Sequence, residues 1–120
     1  MVLTDKIINA KIIGTFLGIE DHGIPTFGIS INTSEGWYTT IGDYSLGGYD
    51  RKAEKYDWCN FEILFKILKV VEVDSWEELN GKYIRIKVPE RRNAPIIEIG
   101  NLMEDNWVNL KEWFMGENNK

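Results

Sequence analysis

The chain has 120 residues, of which 43% are hydrophobic and 28% charged, and its formal net charge at pH 7 is −5. This composition is typical of one folded domain, and the acidic balance argues against coating of nucleic acid, which requires Lys and Arg to neutralise phosphates. The single cysteine, Cys59, excludes an internal disulfide, and no apolar run reaches membrane-spanning length. We expect a cytoplasmic protein without membrane association, built as one domain over residues 1–115 with a solvated tail over 116–120.

Three strands are predicted first, because apolar and polar residues alternate on either side of two turn segments. The first strand covers residues 7–17, and its predicted inner face carries Ile8, Ala10, Ile12 and Phe16. The second strand covers residues 26–32, and the third covers 37–46 after a turn at 33–36. Consecutive strands with short links favour an antiparallel meander.

The apolar period then changes to a helical one. Residues 47–57 are polar and mixed in charge, which predicts a loop or an irregular helix. Asn60 is a favourable N-cap for a long helix whose apolar face carries Phe61, Leu64, Phe65 and Leu68. Ser75 and Glu78 have the spacing of a capping box, which predicts a helix of one or two turns that ends at Asn80 and Gly81.

Two further strands and a helix complete the prediction. Residues 83–88 alternate, with Ile84, Ile86 and Val88 directed inward, and residues 96–99 form a fifth strand. Asn109 caps a final short helix. The predicted order is β-β-β-α-α-β-β-α, which indicates an α+β fold with a mainly antiparallel sheet of about five strands and one long packed helix.

Evidence for an enzyme is weak. Asp21 and His22 form a candidate turn site, either an acid–base pair or simply a turn, and we favour the turn. Cys59 lies near a helix start, where a small buried residue is a more common role than a nucleophile. With one histidine and one cysteine we expect no dedicated zinc site, while a Mg²⁺ or Ca²⁺ site of carboxylates stays open without a motif to support it. The phosphate-loop, dinucleotide-binding and common hydrolase motifs are absent. We therefore expect no catalytic residue, no metal and no cofactor.

A basic segment is the best candidate for binding. Five of its eleven residues between positions 82 and 92 are cationic, with one acid, Glu90, among them. Arginines next to an aromatic residue suit a phosphate and a stacked base, whereas the alternative is a solvated strand face that balances acidic neighbours. The candidate ligand-binding residues are Tyr49, Arg51, Tyr83, Arg85, Arg91, Arg92 and Asn101.

Four segments of the chain resemble a group of small proteins encoded by phages and prophages: FLGIEDHGIPTF, GDYSLGGYD, DSWEELNGKYIRIK and IGNLMEDNW. The resemblance extends from Lys6 to about Trp113, and its closest functional counterpart is the anti-Thoeris sponge family. Proteins of that family are similar in size and in their α+β build, and they bind cyclic ADP-ribose-type immune signals without cleaving them.

The resemblance implies a phage counter-defence protein in the host cytoplasm, a non-enzymatic homo-oligomer that sequesters an anionic cyclic nucleotide ligand at a subunit junction. The irregular segment 91–95 departs from the smooth hairpin expected there. Two alternatives stay open. An acidic inhibitor of a host defence complex, comparable to an anti-CRISPR protein, is favoured by the net charge of −5, which suits blocking of a basic groove. A small nucleotide phosphodiesterase would use His22.

Overall fold

The computed structural model describes residues 5–20, 24–50, 52–57, 60–89, 96 and 98–115. Its strands are β1 (Asp5–Glu20), β2 (Ile24–Thr33), β3 (Tyr38–Ser45), β4 (Gly48–Asp50), β5 (Lys55–Asp57), β6 (Tyr83–Pro89), β7 (Glu98–Gly100) and β8 (Trp107–Asn109). Its helices are α1 (Glu62–Val71) and α2 (Leu110–Met115), with a 3₁₀ turn at Glu77–Leu79. The predicted α+β class is confirmed. Residues 116–120, the predicted tail, lie outside the described residues.

The main sheet is antiparallel and has six described strands, rather than about five, in the order β3-β2-β1-β6-β7-β8. Strands β1 to β3 form the predicted meander. The turn between β2 and β3 is closed by a hydrogen bond of 3.0 Å from Gly36 N to Thr33 O. Gly36 has a φ of +92°, a left-handed conformation that favours glycine. Strand β1 joins the meander to β6, and thereby connects the two halves of the sheet.

One face of the sheet packs against the helices and forms the hydrophobic core. The core receives alternate side chains of β1, β2 and β6, together with the buried residues of α1, which are Ile63, Leu64, Ile67 and Val70. Phe27 of β2 has its ring centroid 5.9 Å from that of Trp76, in an edge-to-face arrangement, and 6.3 Å from that of Phe114. Removal of this apolar surface from water stabilises the fold by roughly 25 cal/mol for each Å² buried.

Helix α1 differs from the prediction in two details. Phe61 takes the N-cap position, so the predicted cap at Asn60 is one residue too early. Phe65, predicted on the apolar face, is exposed, and its ring centroid lies 5.7 Å from that of Phe61. The buried face is centred on Ile63 and Ile67, and Phe65 lies about 200° around the helix from both, because each residue advances the helix by about 100°.

A β-bulge in β1 explains why Phe16 is on the wrong face in the prediction. Ile12 pairs with Ile31, but Gly14 pairs with Ser30, so Ile13 is an additional residue in β1. One inserted residue inverts the alternation of every side chain beyond it. Phe16 therefore lies on the outer face, opposite Gly28, and is 43% exposed.

Short strands were the elements that the sequence did not predict. Segment 47–57, predicted as a loop or an irregular helix, contains β4 and β5, which pair as a two-stranded sheet. The predicted fifth strand, 96–99, is β7 at Glu98–Gly100 instead, and β8 was not predicted. A strand of three residues is too short for an alternating pattern to be distinguished from a loop.

The helix-capping predictions were partly confirmed. Glu112 N donates to Asn109 Oδ1 at 2.8 Å, so Asn109 caps α2 as predicted. The hydroxyl of Ser75 donates to the carboxylate of Glu78 at 3.0 Å instead of accepting from a backbone amide. The helix predicted there is a single 3₁₀ turn.

Candidate functional site

Strand β6 presents three polar side chains on the outer face of the sheet, the face opposite the helices. Tyr83, Arg85 and Lys87 alternate with the buried residues Ile84, Ile86 and Val88, as predicted. On the neighbouring strand, Lys11 pairs directly with Tyr83, and its Nζ lies 5.7 Å from the centroid of the Tyr83 ring. The Tyr83 side chain remains 56% exposed. An aromatic ring is thus accessible to solvent beside cationic neighbours.

Trp107 extends this row of side chains across β7. Gly100 of β7 pairs with Arg85 on one side and with Trp107 on the other. A Cβ atom at position 100 would lie 2.4 Å from Trp107 Cε3, so the indole ring occupies the space above Gly100. This packing brings the ring below the guanidinium of Arg85, whose Cζ is 4.8 Å from the ring centroid. Lys87 Nζ is 5.6 Å from the same centroid.

The β7–β8 loop fixes the position of Arg85. Arg85 Nε donates to the carbonyl oxygen of Asn101, and its Nη2 donates to that of Glu104, both at 2.8 Å. The indole Nε1 of Trp107 donates to Asp105 Oδ1, also at 2.8 Å. Three of the five N–H donors of the guanidinium are not used by these two bonds. Arg85 is therefore held in one orientation and retains donors for a further anion.

Asn101 connects the loop to the core. It is 7% exposed, and its Nδ2 donates at 2.8 Å to the carbonyl of Val70 near the C-terminus of α1. Its Oδ1 accepts from the backbone N–H groups of Met103 and Glu104, each at 2.9 Å. Both ends of the amide are therefore engaged within the protein. Asn101 holds in place the loop whose carbonyl groups accept from Arg85. Direct contact between Asn101 and a ligand stays a prediction.

Lys87 is paired with an acidic neighbour, whereas among the described residues Lys11 and Arg85 are not. Lys87 Nζ lies 2.9 Å from Glu98 Oε2 on β7, and this hydrogen bond, assisted by the attraction between the two charges, raises the pKa of Lys87 above its usual value. Within the described part of the chain, no carboxylate forms an ion pair with Lys11 or Arg85. Lys11 faces Tyr83 from β1, and Arg85 follows Tyr83 two residues along β6, so two cations without an ion pair among the described residues lie near this ring.

We refer to Lys11, Tyr83, Arg85, Lys87 and Trp107 as the outer-face patch. Its chemistry suits a ligand with a planar ring and a negative charge, because rings stack on exposed aromatic residues and phosphates accept from guanidinium and ammonium groups. Sequence reasoning did not find Lys11 or Trp107. The alternation in β1 places Lys11 on the outer face, but the pairing of β1 with β6 was needed to bring it to Tyr83.

The predicted site residues are only partly described. Tyr83 and Arg85 lie in the outer-face patch, and Asn101 lies next to Arg85. The backbone of Tyr49 belongs to β4, but its side chain lies outside the described residues, and so do five other predicted or considered residues: Asp21, His22, Arg51, Arg91 and Arg92. Cys59 is also outside them. The roles predicted for these residues stay predictions.

In the portions of the chain that the structure describes, no three His, Cys, Asp or Glu residues are placed to hold a metal ion together. None of the described helices has the length and apolar character needed to cross a membrane. No protein-family model, curated protein or solved structure matches this chain.

Proposed function

We propose that the protein binds an anionic nucleotide at the outer-face patch and sequesters it without cleaving it. The observation that carries the proposal is the exposed ring of Tyr83 beside Lys11 and two residues from Arg85, two cations that lack a carboxylate partner among the described residues. The resemblance to the anti-Thoeris sponge family supports a cyclic ADP-ribose-type signal as the ligand, and hence a role in phage counter-defence.

The dimensions of the patch support this class of ligand. Tyr83 and Arg85 are two residues apart on one strand, so their Cβ atoms are separated by about 7 Å. A nucleotide can span this distance, with its base on the tyrosine ring and its phosphate at the guanidinium. Because the loop hydrogen bonds already fix Arg85, little conformational entropy is lost when it binds the phosphate. Arg91 and Arg92 follow β6 in the sequence, and the proposal assigns them to further phosphate oxygens.

Sequestration requires affinity but no chemical step. Stacking on an aromatic residue contributes about 1–3 kcal/mol for each base, and hydrogen bonds to charged groups about 1.5–3 kcal/mol each. These contributions are sufficient for tight binding if several phosphates are engaged. The proposed activity therefore depends on charge and stacking. The ligand stays intact, and the host effector that it would activate stays inactive.

A thermal-shift experiment with mass analysis tests the proposal. The protein is titrated with ADP-ribose, cyclic ADP-ribose isomers and cyclic dinucleotides, and uncharged adenosine and inorganic phosphate serve as partial-ligand controls. At 100 times its dissociation constant, a ligand adds about 2.7 kcal/mol to the free energy of unfolding. Recovery of the intact ligand after long incubation is expected. An altered ligand would instead indicate the phosphodiesterase alternative, and no shift with any nucleotide would favour the protein-binding inhibitor.

A further inference from the structure

Within the described part of the chain, the distal half of β1 has a partner strand on one side only and so forms an edge. β1 pairs with β6 only through Asp5–Lys11. Ile12 makes the last bonds on that side, where its N–H donates to Lys82 O and its carbonyl accepts from Gly81 N, both at 2.8 Å. From there to Glu20, β2 is the single strand neighbour of β1 in the described structure. On the side away from β2, residues 13–20 thus carry backbone donors and acceptors without a partner strand among the described residues.

The side chains along this edge are apolar and accessible. Four of them are between 43% and 50% exposed: Ile13, Phe16, Leu17 and Ile19. No charged residue and no proline occurs from Ile12 to Ile19. Proteins usually protect an exposed edge strand with charged residues or proline, because such an edge is a template for another strand. This edge lacks both, so its composition favours pairing.

We infer that this edge pairs antiparallel with the same edge of a second copy of the chain, across a two-fold axis centred near Phe16. The charges favour a second copy as the partner. The neutral segment lets two chains of net charge −5 approach without like charges facing each other. Lys11 stands at one end of the segment and Glu20 at the other, so antiparallel pairing brings the basic end of each copy to the acidic end of its partner.

The size of the contact indicates a reversible dimer. Eight residues of each copy span about 27 Å as extended strand. Their backbone edge and half-exposed side chains cover on the order of 1,000 Å² over the two copies, which is close to the lower limit for a specific interface. We expect a species of twice 13.9 kDa that dissociates on dilution through the micromolar range. It forms without a ligand, so its presence is measured independently of nucleotide binding.

Two charge variants test the arrangement by sedimentation equilibrium over a series of protein concentrations. A two-fold axis near Phe16 sets Ile13 of one copy beside Ile19 of the other. The variant Ile13→Lys/Ile19→Lys therefore brings like charges together at both ends, and we expect it to raise the dissociation constant at least about 100-fold. The variant Ile13→Lys/Ile19→Glu brings opposite charges together and retains the dimer. Far-UV circular dichroism and urea unfolding verify that both variants fold alike.

Exposed apolar residues elsewhere provide the controls. Phe65 on α1 and Met103 in the β7–β8 loop are 56% and 83% exposed. Phe65→Lys and Met103→Lys remove comparable apolar surface and are expected to leave the dissociation constant unchanged. The inference is overturned if the unmodified chain is a monomer at every concentration, if the two charge variants weaken the dimer equally, or if either control weakens it more than Ile13→Lys/Ile19→Lys does.

Discussion

Gly100 is the position where a single methyl group should disturb the outer-face patch most. In Gly100→Ala, the new Cβ would lie 2.4 Å from Trp107 Cε3 and 2.5 Å from Cζ3, whereas carbon atoms in contact prefer about 3.5–4.0 Å. The neighbouring atoms belong to a rigid ring, so the whole indole must move by about 1 Å. Its movement breaks the contact with Arg85 and the hydrogen bond from Trp107 Nε1 to Asp105.

The expected destabilisation follows from these contacts. Overpacking of this kind costs about 1–3 kcal/mol, and loss of the Arg85–Trp107 contact about 0.5–1 kcal/mol. We therefore expect Gly100→Ala to lower the free energy of unfolding by roughly 2–3 kcal/mol, which corresponds to a decrease in Tm of about 8–12 °C for a chain of this length. Urea unfolding followed by circular dichroism measures the first quantity, and a thermal melt measures the second.

Gly14→Ala is the matched control for this experiment. Gly14 is also in a strand, but the nearest atom to a Cβ there is Ser30 Cβ at 3.8 Å, an ordinary contact. Gly14→Ala should change the free energy of unfolding by no more than about 0.5 kcal/mol. Adding Trp107→Ala to Gly100→Ala removes the clash, so the double variant should be less destabilised than the sum of the two single variants. If Gly100→Ala is no worse than Gly14→Ala, Trp107 does not lie over Gly100 and the described patch is wrong.

Three further predictions concern the surroundings of the patch. Asn101→Ala should lower the free energy of unfolding by about 2–4 kcal/mol, because it leaves buried backbone groups without partners. Asn101→Asp keeps the acceptor oxygen but sets a buried carboxylate oxygen against the carbonyl of Val70, so it should lose at least as much in the same urea titration. The pair between Lys87 and Glu98 raises the pKa of Lys87. Its contribution to the free energy of unfolding is therefore present below the unfolded-state pKa of about 10.4 and is lost as the pH rises through the higher folded-state pKa. Across this alkaline range, the free energy of unfolding of Lys87→Met should depend less on pH than that of the unmodified chain. Arg91→Glu/Arg92→Glu should abolish nucleotide binding in calorimetry without changing the unfolding transition, and an unchanged affinity would remove both arginines from the proposed site.

Periodicity predicted the long elements of the fold well. The alternation of Ile84, Ile86 and Val88 placed β6 correctly, and with it the outward direction of Tyr83 and Arg85. The three-strand meander followed from strong alternation and short turns. In each case, the alternation of apolar and polar residues repeated several times along the segment, so the local sequence determined the element.

The errors arose where tertiary contacts decide the structure. The bulge at Ile13 inverts the face of Phe16, and no local signal in β1 distinguishes it from a continuous strand. Strands β7 and β8 have three residues each, too few for a period, and they are held by the pairing of Gly100 with Arg85 and with Trp107. The patch itself combines residues from β1, β6 and β8, so its composition depended on a strand order that the sequence did not specify.

The binding proposal is tested most directly by calorimetry with cyclic ADP-ribose isomers on the unmodified chain, Tyr83→Ala and Tyr38→Ala. Tyr38 is an exposed tyrosine on β3, on the same outer face but outside the patch, so it controls for the loss of a surface ring. We predict binding with full recovery of the ligand, a loss of about 1–3 kcal/mol in Tyr83→Ala, and an unchanged affinity in Tyr38→Ala. Equal affinities for Tyr83→Ala and the unmodified chain would contradict the proposed site, and no heat with any isomer would contradict the proposed ligand.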